Sequence, residues 1–95
     1  MNKSELINSL SEETTFSKRD VARVLESFTR IIERTLKGGG KVAITGFGSF
    51  TVSRRPARKG INPATKERID LPEIFVPKFK PGKSLRELVR SVKIG

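Results

Sequence analysis

The 95-residue sequence predicts an α+β fold: a helical hairpin, a small antiparallel sheet with a protruding two-stranded β-arm, and a short C-terminal helix. Three observations predict it. Up to Leu36 the apolar residues recur at helical spacing, until Gly38-Gly39-Gly40 ends the pattern. From Lys41 they alternate with polar neighbours, the period of a half-buried strand. Within that second part, residues 53–68 (SRRPARKGINPATKER) offer only Ile61 and Pro63 as sizeable apolar side chains, too few to offset the ordering of a packed segment.

The first helix is expected over residues 2–13, with Asn2 and Glu5 at capping-box spacing and Leu6, Ile7 and Leu10 on one face. The polar run Ser11–Thr15 ends it. Ser17 and Asp20 repeat the start signal. Val21, Val24, Leu25, Phe28, Ile31, Ile32 and Leu36 then make the apolar stripe of a second helix reaching about Leu36. Its outer face mixes Arg23, Arg30 and Arg34 with Glu26 and Glu33. A recognition helix would show a basic, polar-reading face, and a membrane-surface helix would concentrate Lys and Arg. The pair therefore reads as structural.

Lys41–Thr45 and Ser49–Ser53 are the next expected strands, joined by a tight reversal at Gly46-Phe47-Gly48. No GK[ST] stands at phosphate-loop spacing from these glycines, so the segment reads as a turn and not as a nucleotide loop. The basic segment is expected to form a hairpin whose tip, Asn62-Pro63-Ala64-Thr65, suits a type I turn. Pro56, Pro72 and Pro77 fit edge strands, and an arm has only edges. At about 3.3 Å per residue such an arm reaches about 30 Å, standing clear of the body and mobile until bound. Ile69, Leu71, Ile74, Phe75, Val76 and Phe79 bring the chain back to apolar territory. After Pro81-Gly82, Leu85, Leu88, Val89 and Val92 mark a terminal helix over 83–92, with Arg86, Arg90 and Lys93 on its other side. One domain is expected: a helical base (1–40), a body sheet (41–52 and 74–81), an arm (53–73) and the last helix (83–92).

Twenty Lys and Arg against ten Asp and Glu give a net charge of +10. The excess is uneven. Residues 1–40 carry seven basic and six acidic side chains, residues 41–95 thirteen and four. Such a balance implies a polyanionic partner, nucleic acid before anionic lipid. No run approaches the ~20 apolar residues of a membrane span and no signal-peptide pattern opens the chain, so the reading is cytoplasmic, with no membrane partner. The absence of Cys excludes a disulfide scaffold. With no His either, the commonest acid–base, nucleophilic and metal-ligating side chains are missing. Neither catalysis, nor a metal, nor a cofactor is expected. Setting the basic segment aside leaves about 80 residues, a size at which association commonly completes a core.

Four stretches together form a specific pattern: MNKSELI at 1–7, GFGSF at 46–50, ARKGINPATKE at 57–67 and VPKFKPGKSLRELV at 76–89. In this order and spacing the chain resembles the bacterial histone-like DNA-binding family, HU, with its relative integration host factor. The resemblance implies a helical base under the sheet, an intertwined dimer, and two arms that embrace double-stranded DNA along its minor groove. It implies a nucleoid-associated protein that bends and compacts DNA and prefers bent, nicked or gapped duplexes. Arg54, Arg55, Arg58, Lys59, Ile61, Asn62, Pro63, Lys66 and Arg68 become the DNA-binding arm, with Pro63 the wedge between base pairs. Gly46, Gly48, Lys80, Lys83 and Arg86 become the DNA-binding part of the body, and Phe47, Phe50 and Phe79 the dimer core. One arm clasps only one side of a duplex, so a two-fold homodimer fits; a heterodimer with a paralogue would use the same surfaces.

The chain departs from the family's usual pattern at four places. Ser53 stands where many members are basic, and Arg54 does not replace it, because adjacent strand residues face opposite ways. Ile61 stands where Arg is frequent. Lys66 and Thr15 each replace a frequent glycine. Two alternatives belong with this reading: a site-specific DNA bender like integration host factor, and a structural RNA-binding protein. The arm's few Asn and Gln favour reading DNA by shape and deformability over sequence. It also lacks the exposed aromatics that single-strand binding needs.

Overall fold

A computed structural model describes residues 1–92. The chain divides into two compact units, Met1–Arg34 and Thr35–Gly95.

The first unit holds helix α1 (Lys3–Thr14) and most of α2 (Lys18–Lys37). Asn2 caps α1 as its spacing with Glu5 predicts: its side-chain oxygen accepts the Glu5 N–H at 2.9 Å. At the other end Thr15 adopts the left-handed conformation (φ 65°) and donates its N–H to the Ser11 carbonyl. Ser17 Oγ accepts the Asp20 N–H at 3.1 Å and starts α2. Val21 is the one buried apolar residue among those described, at 6% exposure. Leu10, Phe16, Val24, Leu25 and Phe28 line an apolar groove beside it, with Phe16 63% and Val24 68% exposed.

The second unit holds two sheets and the last helix. Strands β1 (Val42–Ile44), β2 (Gly48–Arg55) and β5 (Ile74–Pro81) form an antiparallel sheet with β2 in the centre. Strands β3 (Arg58–Ile61) and β4 (Arg68–Leu71) form a separate antiparallel ribbon, the arm. The β2–β5 ladder is longer than alternation alone suggests and runs on through Ser53↔Val76 and Arg54↔Phe75 to Arg55↔Ile74. It stops where proline deprives each strand of an N–H, at Pro56 after β2 and at Pro72 after β4. Pro77 lies within β5, on the sheet's edge, where its missing N–H breaks no ladder.

Turns account for the remaining differences. The β1–β2 reversal closes through the Phe47 N–H to the Ile44 carbonyl, with Gly46 at φ 86° in the position that a type II turn reserves for glycine. At the arm tip the expected type I turn over 62–65 is replaced by a wider one. The Asn62 carbonyl accepts from the Lys66 N–H at 2.6 Å, one residue further along. The cause is local: Asn62 Oδ1 takes the Ala64 N–H at 2.9 Å, and Lys66 turns left-handed at φ 59° to bring the chain back. Helix α3 (Lys83–Val89) ends three residues before the expected position 92, its last turn tightened by Arg90 N–H to Glu87 O and Val92 N–H to Val89 O. Lys93, expected on that helix, lies outside the described residues.

Candidate nucleic-acid interface

Cross-strand register sorts the sheet into two chemically different faces. Residues directly opposite in an antiparallel pair share a face, and alternate residues along a strand share it too. One face therefore carries Val42, Phe50, Val52, Phe75, Pro77 and Phe79. The Phe79 ring packs at 5.0 Å from Phe50 and 5.4 Å from Phe47, tilted by about 45° in both pairs. The other face carries Ser49 opposite Lys80, Thr51 opposite Lys78, Ser53 opposite Val76 and Arg55 opposite Ile74. Three cations and three hydroxyls on one strip of sheet can neutralise and hydrogen-bond successive phosphates.

Lys78 is absent from the sequence-derived candidates, as are Ser49 and Thr51. The signal was present: Lys78 and Lys80 are two apart on one strand and must share a face. Arg54, by contrast, faces the phenylalanines. Its guanidinium is tied to Glu73, with Nε donating to Oε2 at 3.0 Å and Nη2 at 2.8 Å from the same oxygen.

The arm is also two-faced. Lys59, Ile61, Arg68 and Asp70 share one side; Arg58, Gly60, Ile69 and Leu71 share the other. On this second side Leu71 and Ile69 lie over Gly60 and use the space where a side chain would be. Arg58 and Lys59, neighbours in sequence, are thus parted. Ile61 is 65% exposed and ends β3 beside the tip, where Pro63 is also exposed. Asn62 is half-buried, its carboxamide oxygen committed to the turn. Among the described residues Arg55, Arg58, Lys59, Lys66, Arg68, Lys78 and Lys80 make no ion pair, so their charge is available to an external anion.

Lys83 and Arg86 lie on α3 and line one shallow depression with Glu87 and Arg90. Gly46 serves the turn and Gly48 the packing beneath Phe79, while Phe47 and Phe79 remain 44% and 40% exposed within the single chain. Among the described residues no three metal-ligating side chains cluster, and no helix is long and apolar enough to cross a membrane.

Comparison with known proteins agrees with this geometry. The family described as bacterial DNA-binding protein matches residues 1–90. DNA-binding protein HU-1 of Halalkalibacterium halodurans is 47% identical over 89 residues, covering 94% of this chain and 99% of that protein. DNA-binding protein HU of Thermotoga maritima is 47% identical over 90 residues, 95% of this chain and all of that one. Among solved structures, an Anabaena HU–DNA cocrystal structure superposes with a TM-score of 0.89 at 38% identity, covering 97% of this chain and 100% of that one. An HU mutant from Thermotoga maritima gives 0.70 at 36% identity, covering 94% and 99%. HU proteins are not enzymes. On sequence and fold together, the chain belongs to the HU family of bacterial DNA-binding proteins.

Proposed function

We propose that the chain is an architectural double-stranded DNA-binding protein of the bacterial nucleoid, largely indifferent to sequence. It works as a homodimer whose arms enter the minor groove and whose tips bend the duplex. The observation that carries this reading is the cationic face of the sheet, Arg55, Lys78 and Lys80 among Ser49, Thr51 and Ser53, with the phenylalanines turned to the opposite side. Phosphate-binding chemistry on that face supplies affinity without sequence information. The arm adds Lys59 and Arg68, suited to the electronegative minor groove, around the exposed Ile61 and Pro63 at its end. An apolar wedge at such a tip unstacks a base step, offset by the contacts a bent duplex gains. The Asn62 carboxamide oxygen is held within its own turn, which limits base reading and supports sequence tolerance.

The apolar surface supports the dimer. Phe16 between the two helices, Val24 and Phe28 on α2, Phe47 in the β1–β2 turn, and Phe75 and Phe79 on β5 are too exposed for a chain of this size to be stable alone. Kinship with HU proteins, one of them solved with DNA, agrees with the reading.

Footprinting and competition test it. On random-sequence duplex the protein is expected to protect without discrete sites and to bind more weakly as salt rises, while A-form RNA competes poorly because its minor groove is wide and shallow. Discrete protected sites would favour a site-specific bender, and equal competition by RNA would favour an RNA-binding role.

A further inference from the structure

We propose that Arg54 is a positioning residue, bracing the arm against the sheet through Glu73, and is not a phosphate ligand. The proposal rests on the DNA-binding reading and separates this cation from those that serve it directly. Arg54 stands opposite Phe75 on the phenylalanine face, whereas Arg55, Lys78 and Lys80 occupy the other. Its reach is toward Glu73, whose Oε2 receives both Nε at 3.0 Å and Nη2 at 2.8 Å.

The location gives the pair its consequence. Arg54 lies on the second-last rung of the β2–β5 ladder, and Glu73 lies in the gap between β4 and β5. Beyond Arg55↔Ile74 the regular pairing stops at Pro56 and Pro72, and it resumes only at Arg58↔Leu71. The ion pair therefore ties the two chain segments at the junction of sheet and arm. An arm held near one direction loses less freedom on binding than one that swings. Because both side chains are partly exposed, 60% and 42%, the effect is modest and weakens as salt rises.

Charge reversal of the expected effects makes the test decisive. If Arg54 contacts phosphate, Arg54→Gln makes the log–log salt slope shallower by about 0.9 per copy. Glu73→Gln, which adds net positive charge, then tightens binding. If Arg54 is a brace, both variants weaken binding to random-sequence duplex by about two- to fivefold at low salt. The wild-type slope is then retained, and the charge exchange R54E/E73R restores affinity. The natural absence of Cys allows a DNA-free measurement as well: spin labels at Ala43→Cys and Ala64→Cys report the distance from sheet to tip. Arg54→Gln and Glu73→Gln are expected to broaden that distance distribution alike, and the exchange to narrow it. Tighter binding by Glu73→Gln, or an unaltered distribution in both variants, would overturn the brace. Failure of the wild type to bind duplex would instead overturn the DNA-binding reading, and the distance distribution would still decide the brace.

Discussion

Phe79 occupies the space beside Gly48 where a side chain would begin. A β-carbon placed on Gly48 would lie 2.6 Å from the Phe79 ring and 2.6 Å from the Lys80 carbonyl oxygen. The backbone contact cannot be relieved by turning a side chain. Gly48→Ala is therefore expected to cost about 2–3 kcal/mol in urea unfolding. Gly60→Ala in the arm meets side chains and no backbone, closest the flexible end of Leu71 at 2.9 Å, and is expected to cost less than about 1 kcal/mol. Equal losses would show that the sheet yields at Gly48.

Among the described residues Thr15 and Lys66 are the non-glycine residues of positive φ, at 65° and 59°. The left-handed conformation costs an ordinary residue about 1–2 kcal/mol, and glycine's greater chain entropy offsets about 0.5–1 of that. Thr15→Gly is expected to gain about 0.5–1 kcal/mol and raise the melting temperature. A lower melting temperature would contradict it. Lys66→Gly relaxes only the arm tip, so its expected signature is added amide protection at Asn62 and Lys66 with global melting unchanged.

Much of this was legible in the sequence. Asn2 and Ser17 mark the helix starts because capping is a local transaction between a side chain and an N–H three residues on. The opposed directions of Arg54 and Arg55 follow from strand alternation alone. What alternation could not supply is register: that Thr51 meets Lys78, and that Arg54 stands within reach of Glu73, depends on pairing between segments 19 or more residues apart. The tip turn was misjudged because Asn-Pro suits several turns, and the choice lay with the Asn62 side chain and Lys66.

Dimerisation predicts concentration-dependent melting. If exposed Phe47, Phe75 and Phe79 are covered by a second copy, folding and association are one equilibrium. Each tenfold dilution should lower the midpoint by about 3–6 °C in scanning calorimetry. A midpoint independent of concentration, with a monomeric mass in sedimentation, would remove the dimer.

Lys78, which shares a face with Lys80 but is not among the sequence-derived DNA contacts, is expected to be one. Lys78→Ala should weaken duplex binding and make the salt slope shallower by about 0.9 for each copy that engages a phosphate. An unchanged slope would mean that the cationic face does not meet the backbone.

Whether the arm tip wedges and bends the duplex is decided by Pro63→Ala. Wild type and variant are titrated, at two salt concentrations, onto an intact duplex and onto the same duplex nicked or gapped. The expected result is weaker binding to intact DNA, much tighter binding to the interrupted duplex, and a loss in the variant that is largest on intact DNA, where the base step must still be unstacked. If all substrates bind alike and Pro63→Ala changes none of them, the arm is an electrostatic clamp and the bending mechanism is contradicted.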